Sequence, residues 1–215
     1  MNLPAPGETQ TRLLEGAAGA VEALLTAPAT PPRGVAVVCH PHPLFGGAMS
    51  NKVVHTLAGS AQKAGLATLR FNFRGVGRSA GRHDEGRGET EDTVRLARWF
   101  QAQYPGAPLL LAGFSFGAFI TLRATAELRP RALVSVAPPL GKYLQLPRPE
   151  HPQVPWLFLH GTADDVVPYA ETRAALADYH PPPQLVSFEG AGHFFHGRLG
   201  DLQDAVKPFL DEHFA

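Results

Sequence analysis

Leu109-Leu110-Leu111-Ala112-Gly113-Phe114-Ser115-Phe116-Gly117 is the stretch on which the fold of this chain turns. Leu109 to Ala112 is a continuous apolar run, as expected of a strand buried on both faces. Phe116 to Leu128 reads as a helix that stops before Pro130. Between them lies Gly-x-Ser-x-Gly. A serine hydroxyl is a weak nucleophile and must stand where a base can reach it. A sharp strand-to-helix turn achieves this by holding the serine in a strained backbone conformation. Glycines flank it because side chains there would collide across the turn. The N-terminus of the following helix adds N–H groups and a positive dipole end, which stabilise a developing oxyanion.

Outward from this turn, strands and helices alternate. Val35 to Cys39, Leu66 to Phe73, Ala132 to Ala137, Trp156 to His160 and Gln184 to Phe188 read as strands. Asn51 to Ala64, Glu89 to Tyr104, Tyr169 to Tyr179 and Leu199 to His213 read as helices. Such alternation predicts a mostly parallel sheet with helices on both faces. Thr9 to Leu25 reads as two strands around Gly16-Ala17-Ala18-Gly19, with a helix over Ala20 to Leu25 as the alternative. No repeat or low-complexity linker divides the chain, so one domain over residues 1–215 is expected.

A nucleophilic serine needs a base, and the base needs an acid to orient it. The strand Trp156 to His160 ends in a loop carrying Asp164 and Asp165. The last strand is followed by Gly190-Ala191-Gly192-His193-Phe194-Phe195-His196. The chain order is therefore serine, aspartate, histidine. All three follow the C-terminal ends of predicted parallel strands, where open α/β sheets place their sites.

The chain resembles the α/β-hydrolase superfamily, and within it the small, lidless bacterial predicted serine hydrolases. The resemblance is carried by His40-Pro41-His42-Pro43-Leu44-Phe45-Gly46-Gly47, Phe71-Asn72-Phe73-Arg74-Gly75-Val76-Gly77-Arg78-Ser79, the Gly113–Gly117 turn, His160-Gly161-Thr162-Ala163-Asp164 and Gly192-His193. It implies a three-layer α/β sandwich with little or no cap. It also implies Ser115 as nucleophile, Asp164 rather than Asp165 as acid, and His193 rather than His196 as base, with no metal and no cofactor. His160 is read as closing a core strand.

The oxyanion site requires a second donor besides the Phe116 N–H, from the loop after Val35–Cys39. Pro41 and Pro43 have no N–H. Matching to the family favours His42, and a wider loop would favour Leu44; both stay open. Phe45, Phe194 and Phe195 are expected to line an apolar acyl pocket. The Pro-rich segment from Pro138 to Pro155 allows a short flap bearing Tyr143, Leu144 and Leu146, but no cap domain. Two other motifs invite different chemistry. His40 and His42 could face one metal, yet no carboxylate or cysteine sits at a matching spacing. Gly75-Val76-Gly77-Arg78-Ser79-Ala80 has dinucleotide-fingerprint spacing, yet Gly81, Gly86 and Gly88 continue it as a loop where a helix should open. Arg74 and Arg78 are read as ion-pair partners at its rim.

Composition narrows the function further. Nineteen basic and 19 acidic residues cancel, which disfavours a nucleic-acid or membrane partner. The lone Cys39 excludes an intrachain disulfide. Residues 1–10 carry neither a basic region nor an apolar run, so a cytoplasmic location is expected. Gly and Pro, 22 and 21 of 215 residues, suit short elements and tight turns. The expected reaction is hydrolysis of a small-molecule acyl ester, with acyl thioesters as the alternative. An amide hydrolase and a catalytically silent binding protein on the same fold are the more distant readings.

Overall fold

The structure, a computed structural model, describes residues 3–141 and 146–215. Eight strands form one sheet: β1 (Thr9–Gly16), β2 (Gly19–Thr26), β3 (Gly34–Cys39), β4 (Leu66–Phe71), β5 (Leu109–Phe114), β6 (Ala132–Val136), β7 (Trp156–Gly161) and β8 (Gln184–Phe188). Five α-helices accompany them: α1 (Lys52–Lys63), α2 (Arg87–Ala102), α3 (Phe116–Leu128), α4 (Tyr169–Leu176) and α5 (Leu199–Phe214).

The spatial order is β1-β2-β4-β3-β5-β6-β7-β8. The β1–β2 hairpin joins β4 antiparallel, and every pair from β4 to β8 is parallel. The helix alternative for residues 20–25 does not hold. Val21, Ala23 and Leu25 point alternately into the core, and Gly16 pairs with Gly19 across a two-residue turn.

All five strands from β3 to β7 are buried along their whole length, which explains their unbroken apolar runs. One core packs β1, β2 and one sheet face against α2 and α3. The other packs the opposite face against α1 and α5. No helix among the described residues is long and apolar enough to cross a membrane.

Several element ends differ from expectation for local reasons. β5 continues to Phe114, and the Ser115 N–H still donates to the Val136 carbonyl at 2.8 Å. β4 stops at Phe71: the Asn72 N–H still bonds β2 at Glu22 O, but the Phe73 N–H leaves the ladder for His40 Nε2. α2 starts at Arg87, since the Glu89 carboxylate accepts the N–H groups of Asp84 and Gly86 as an N-terminal cap. α4 ends at Leu176, after which the N–H groups of residues 177–179 bond three residues back in a tighter turn.

β3 is the point where the chain direction across the sheet reverses. After β3 the chain adds β4 on one side, then crosses to add β5 on the other. α1 and α3, which follow β3 and β5, lie on opposite faces of the sheet, the arrangement in which open α/β sheets place a crevice at the C-terminal ends of the strands.

Candidate active site

Ser115 stands in that crevice. Its φ of 53° and ψ of −121° lie outside the regions comfortable for an L-residue. The two flanking glycines are sterically required. A Cβ on Gly113 would lie 2.4 Å from the Gly117 carbonyl oxygen. A Cβ on Gly117 would lie 2.4 Å from the carbonyl oxygens of both Cys39 and His40. The turn is thus pressed against the end of β3, and α3 begins directly behind the serine. Phe116 is its first residue, so its N–H has no partner within the helix.

His193 Nε2 lies 3.1 Å from Ser115 Oγ, and His193 Nδ1 lies 2.8 Å from Asp164 Oδ2. All three side chains are buried. The loops bearing acid and base are laced together: Ala163 N–H donates to Ala191 O, and Gly190 N–H to Thr162 Oγ. Their contact is close enough that a Cβ on Gly161 would lie 2.1 Å from the Ala191 carbonyl oxygen. The Phe114 ring, 4.9 Å away, supports the His193 imidazole.

Asp164 Oδ1 accepts the N–H groups of Val166 and Val167 at 2.9 and 2.7 Å. Burial pushes the Asp164 pKa up, but the hydrogen bonds from His193 and these two N–H groups outweigh it, and the net shift is downward. His160 is fully buried and donates through Nε2 to Val167 O at 2.9 Å, with the same nitrogen 3.4 Å from Asp164 Oδ2. Burial lowers its pKa and keeps it neutral. It therefore closes its strand, as expected, and also faces the carboxylate, which the sequence reading did not foresee. Asp165 and His196 are both exposed and make no such contacts.

The loop after β3 forms a short 3₁₀ turn over Pro43–Phe45. The Leu44 N–H donates to His42 Nδ1 at 3.2 Å, and the Phe45 and Gly47 N–H groups both donate to His42 O. The His42 ring lies 4.9 Å from that of Phe116. His40 is buried behind this loop. It donates through Nδ1 to Pro41 O at 2.7 Å and accepts the Phe73 N–H at Nε2 at 2.9 Å. Nδ1 thus stays within its own loop and Nε2 joins that loop to the segment after β4, leaving no lone pair for a metal. No cluster of three or more potential ligands occurs among the described residues.

The fingerprint-like run at residues 75–80 forms a loop, not a helix start. Its concavity is filled from within, because Glu22 Oε2 accepts the Arg78 N–H at 3.0 Å and the Asn72 side-chain amide at 2.8 Å. Arg74 is an ion-pair partner, with Nε 2.9 Å from the buried Asp92. Arg78 is exposed and holds the loop through its backbone.

Of the expected pocket residues, Phe45 and Phe194 are exposed beside the site. Phe195 is not. It is 1% exposed and packs edge-on against Phe188 beneath the loop. Its φ of 50° turns the chain so that Phe194 and Phe195 face opposite ways. In the proposed flap, Tyr143 and Leu144 lie outside the described residues, and Leu146 packs half-buried against the α2–α3 core. Sequence reasoning missed His83, whose ring is 4.7 Å from that of His42 and 5.5 Å from that of Phe116.

Solved structures share this architecture. An α/β serine hydrolase homologue from Coxiella burnetii is 40% identical, with 96% of this chain and 97% of that chain covered and a TM-score of 0.87. A serine hydrolase without lid from Xanthomonas campestris is 38% identical, with 97% of both chains covered and a TM-score of 0.87. An uncharacterised protein of Rickettsia prowazekii is 32% identical over 209 residues, covering 91% of this chain and 86% of its own length. A sequence profile of the alpha/beta hydrolase fold matches residues 37–152. With that match and these relatives along almost its full length, the chain belongs to the alpha/beta hydrolase fold family.

Proposed function

We propose that this hydrolase cleaves carboxylic esters of small or medium acyl groups through an acyl-serine intermediate. The observation that carries the proposal is the continuous Ser115–His193–Asp164 hydrogen-bonded chain, at 3.1 and 2.8 Å. His193 Nε2 takes the Ser115 proton as Oγ attacks the ester carbonyl carbon. The imidazolium then gives that proton to the leaving alkoxide as the tetrahedral intermediate collapses. Water attacks the acyl-serine by the same route and releases the acid. Asp164 holds the Nδ1–H tautomer and stabilises the imidazolium.

The oxyanion is bound by the N–H groups of Phe116 and His42. Two observations favour His42 over Leu44: the Leu44 N–H is directed into its own loop, and the His42 ring packs on Phe116. Exposed Phe45 and Phe194 flank the serine and offer the acyl or alcohol portion an apolar wall on either side. An open crevice of this kind suits compact substrates.

The test is hydrolysis of a series of p-nitrophenyl esters and acyl thioesters of increasing chain length, with a fluorophosphonate label as the active-site probe. Short and medium esters are expected to turn over best, and Ser115 to carry the label. Ser115→Ala is expected to lower kcat on the order of 10⁴-fold or more. Near wild-type turnover by purified Ser115→Ala would overturn the nucleophile. Thioester turnover above ester turnover would replace the substrate class.

A further inference from the structure

We propose that His83 is a positioning residue that locks together the two halves of the oxyanion hole. The proposal rests on the oxyanion reading above and adds a third loop to it. The two donors come from separate segments, His42 after β3 and Phe116 at the start of α3. Each donor is useful only if it is fixed relative to the other, because the charge it stabilises moves by less than an ångström during the reaction.

His83, in the loop between β4 and α2, touches both. Its ring centroid is 4.7 Å from that of His42 and 5.5 Å from that of Phe116, and those two rings are 4.9 Å apart. The three rings form a closed triangle, so neither donor segment can shift without moving His83. His83 is in turn anchored to the protein frame. Its Nδ1 lies 2.9 Å from Glu89 Oε1, off the line of a hydrogen bond. Glu89 is fully buried in the first turn of α2, its two oxygens fixed by the N–H groups of Asp84 and Gly86 at 2.9 Å each. The positive end of the α2 dipole further favours the carboxylate there. The chain of support therefore runs from α2 through Glu89 to the His83 ring, and from that ring to both donors. Supporting contacts of this type hold a site in productive geometry.

A clamp on the oxyanion hole affects the tetrahedral state and leaves ground-state binding almost untouched. The experiment compares wild type with His83→Ala, His83→Gln and His83→Phe. It measures kcat and KM on p-nitrophenyl butyrate and the affinity of an alkyl trifluoromethyl ketone, which forms a tetrahedral adduct on the serine. Thermal melts check that each variant is folded. Loss of the ring is expected to lower kcat about tenfold and to weaken the ketone by a similar factor, with KM within about twofold. His83→Gln is expected to fall with His83→Ala, since it keeps a polar group but no ring. His83→Phe keeps the ring contacts with His42 and Phe116 but loses the contact with Glu89, so its kcat and ketone affinity are expected to lie between those of wild type and His83→Gln.

Unchanged kcat and ketone affinity in a folded His83→Gln would overturn the proposal. So would a kcat loss without weakened ketone binding, or a His83→Phe as impaired as His83→Gln. Should His83→Ala fail to fold, the Gln and Phe comparison decides alone. A wild-type protein that neither binds the ketone nor depends on Ser115 would instead overturn the proposed function itself.

Discussion

Replacing Ser115 by glycine is expected to make the protein more stable than replacing it by alanine, although both variants lose ester hydrolysis. The two substitutions remove the same hydroxyl and the same contact with His193, so their difference isolates the backbone. At φ 53° and ψ −121° an L-residue carries strain on the order of 1–3 kcal/mol. Glycine relieves it but gives the unfolded chain extra freedom, at a cost of about 0.5–1 kcal/mol. Helix capping does not intrude, because the Ser115 side chain makes no capping hydrogen bond to α3. The net expectation is about 1 kcal/mol in favour of glycine, or roughly 2–4 °C in melting temperature for a chain of this size. The assay is urea unfolding of both variants at pH 7.5, compared through their midpoints at a common m-value. Ala126→Gly, at an exposed position within α3, is the control and is expected to cost about 1 kcal/mol. An alanine variant at position 115 as stable as the glycine variant, or more so, would show that the strain in the turn does not exceed the roughly 0.5–1 kcal/mol that glycine costs and would refute the reasoning.

Two further outcomes follow from buried groups outside the triad. The folded protein keeps His40 neutral down to about pH 4, chiefly through burial, whereas the exposed side chain protonates near 6.5. The unfolded chain therefore binds the extra proton between those values, and stability falls on acidification through that window by up to about 3 kcal/mol. His40→Gln is expected to show a flatter dependence of urea midpoint on pH, and an equally steep one would refute this. Asp92 accepts Arg74 Nε at 2.9 Å and the Ala17 N–H at 2.7 Å while almost fully buried. Asp92→Ala leaves the Ala17 N–H without an acceptor and the Arg74 guanidinium with only its 3.9 Å contacts to Asp84 and Glu91, and is expected to cost about 3 kcal/mol in urea unfolding. A loss below about 1 kcal/mol would mean that the pair is dispensable.

The parts of the site that can be read from sequence are those whose constraint is local. Gly113 and Gly117 are legible because the Cβ they lack would strike backbone four or five residues away or at the end of β3. Ser115 and Asp164 are legible because they follow the apolar runs of β5 and β7, and His193 because the small-residue run Gly190-Ala191-Gly192 leads into it a few residues after β8. The failures share the opposite property. Phe194 and Phe195 are equally aromatic neighbours in a loop with neither period 2 nor period 3.6, and only the positive φ at Phe195 decides which one is buried. The choice between His42 and Leu44 turns on a 3₁₀ turn that directs one N–H inward. His83 approaches the site only because Glu89, read as the start of a helix, reaches back to cap it. The one available hint was the Gly86-to-Glu89 spacing, which marks a helix N-terminus more readily than a site.

The surroundings of Asp164 also decide what the acid can do within the proposed mechanism. Oδ1 is held by two backbone N–H groups, and Oδ2 receives His193 with His160 Nε2 3.4 Å away. Every one of these groups stabilises the ionised form, in keeping with a pKa below the ordinary carboxylate value. A carboxylate held in this way resists taking the imidazole proton, because protonation would forfeit the bonds that hold it. The second proton of the imidazolium therefore stays on His193 Nδ1, and the proton taken from Ser115 stays on Nε2, facing the leaving group. The same contacts prevent the carboxylate from rotating, so His193 has one orientation in which Nδ1 is satisfied, and in that orientation Nε2 points at Ser115. His160 contributes to this while remaining neutral, since burial lowers its pKa by more than the Val167 carbonyl and Asp164 raise it. A charged histidine there would compete with the imidazolium for Asp164, whereas a neutral one supports the carboxylate without weakening the base.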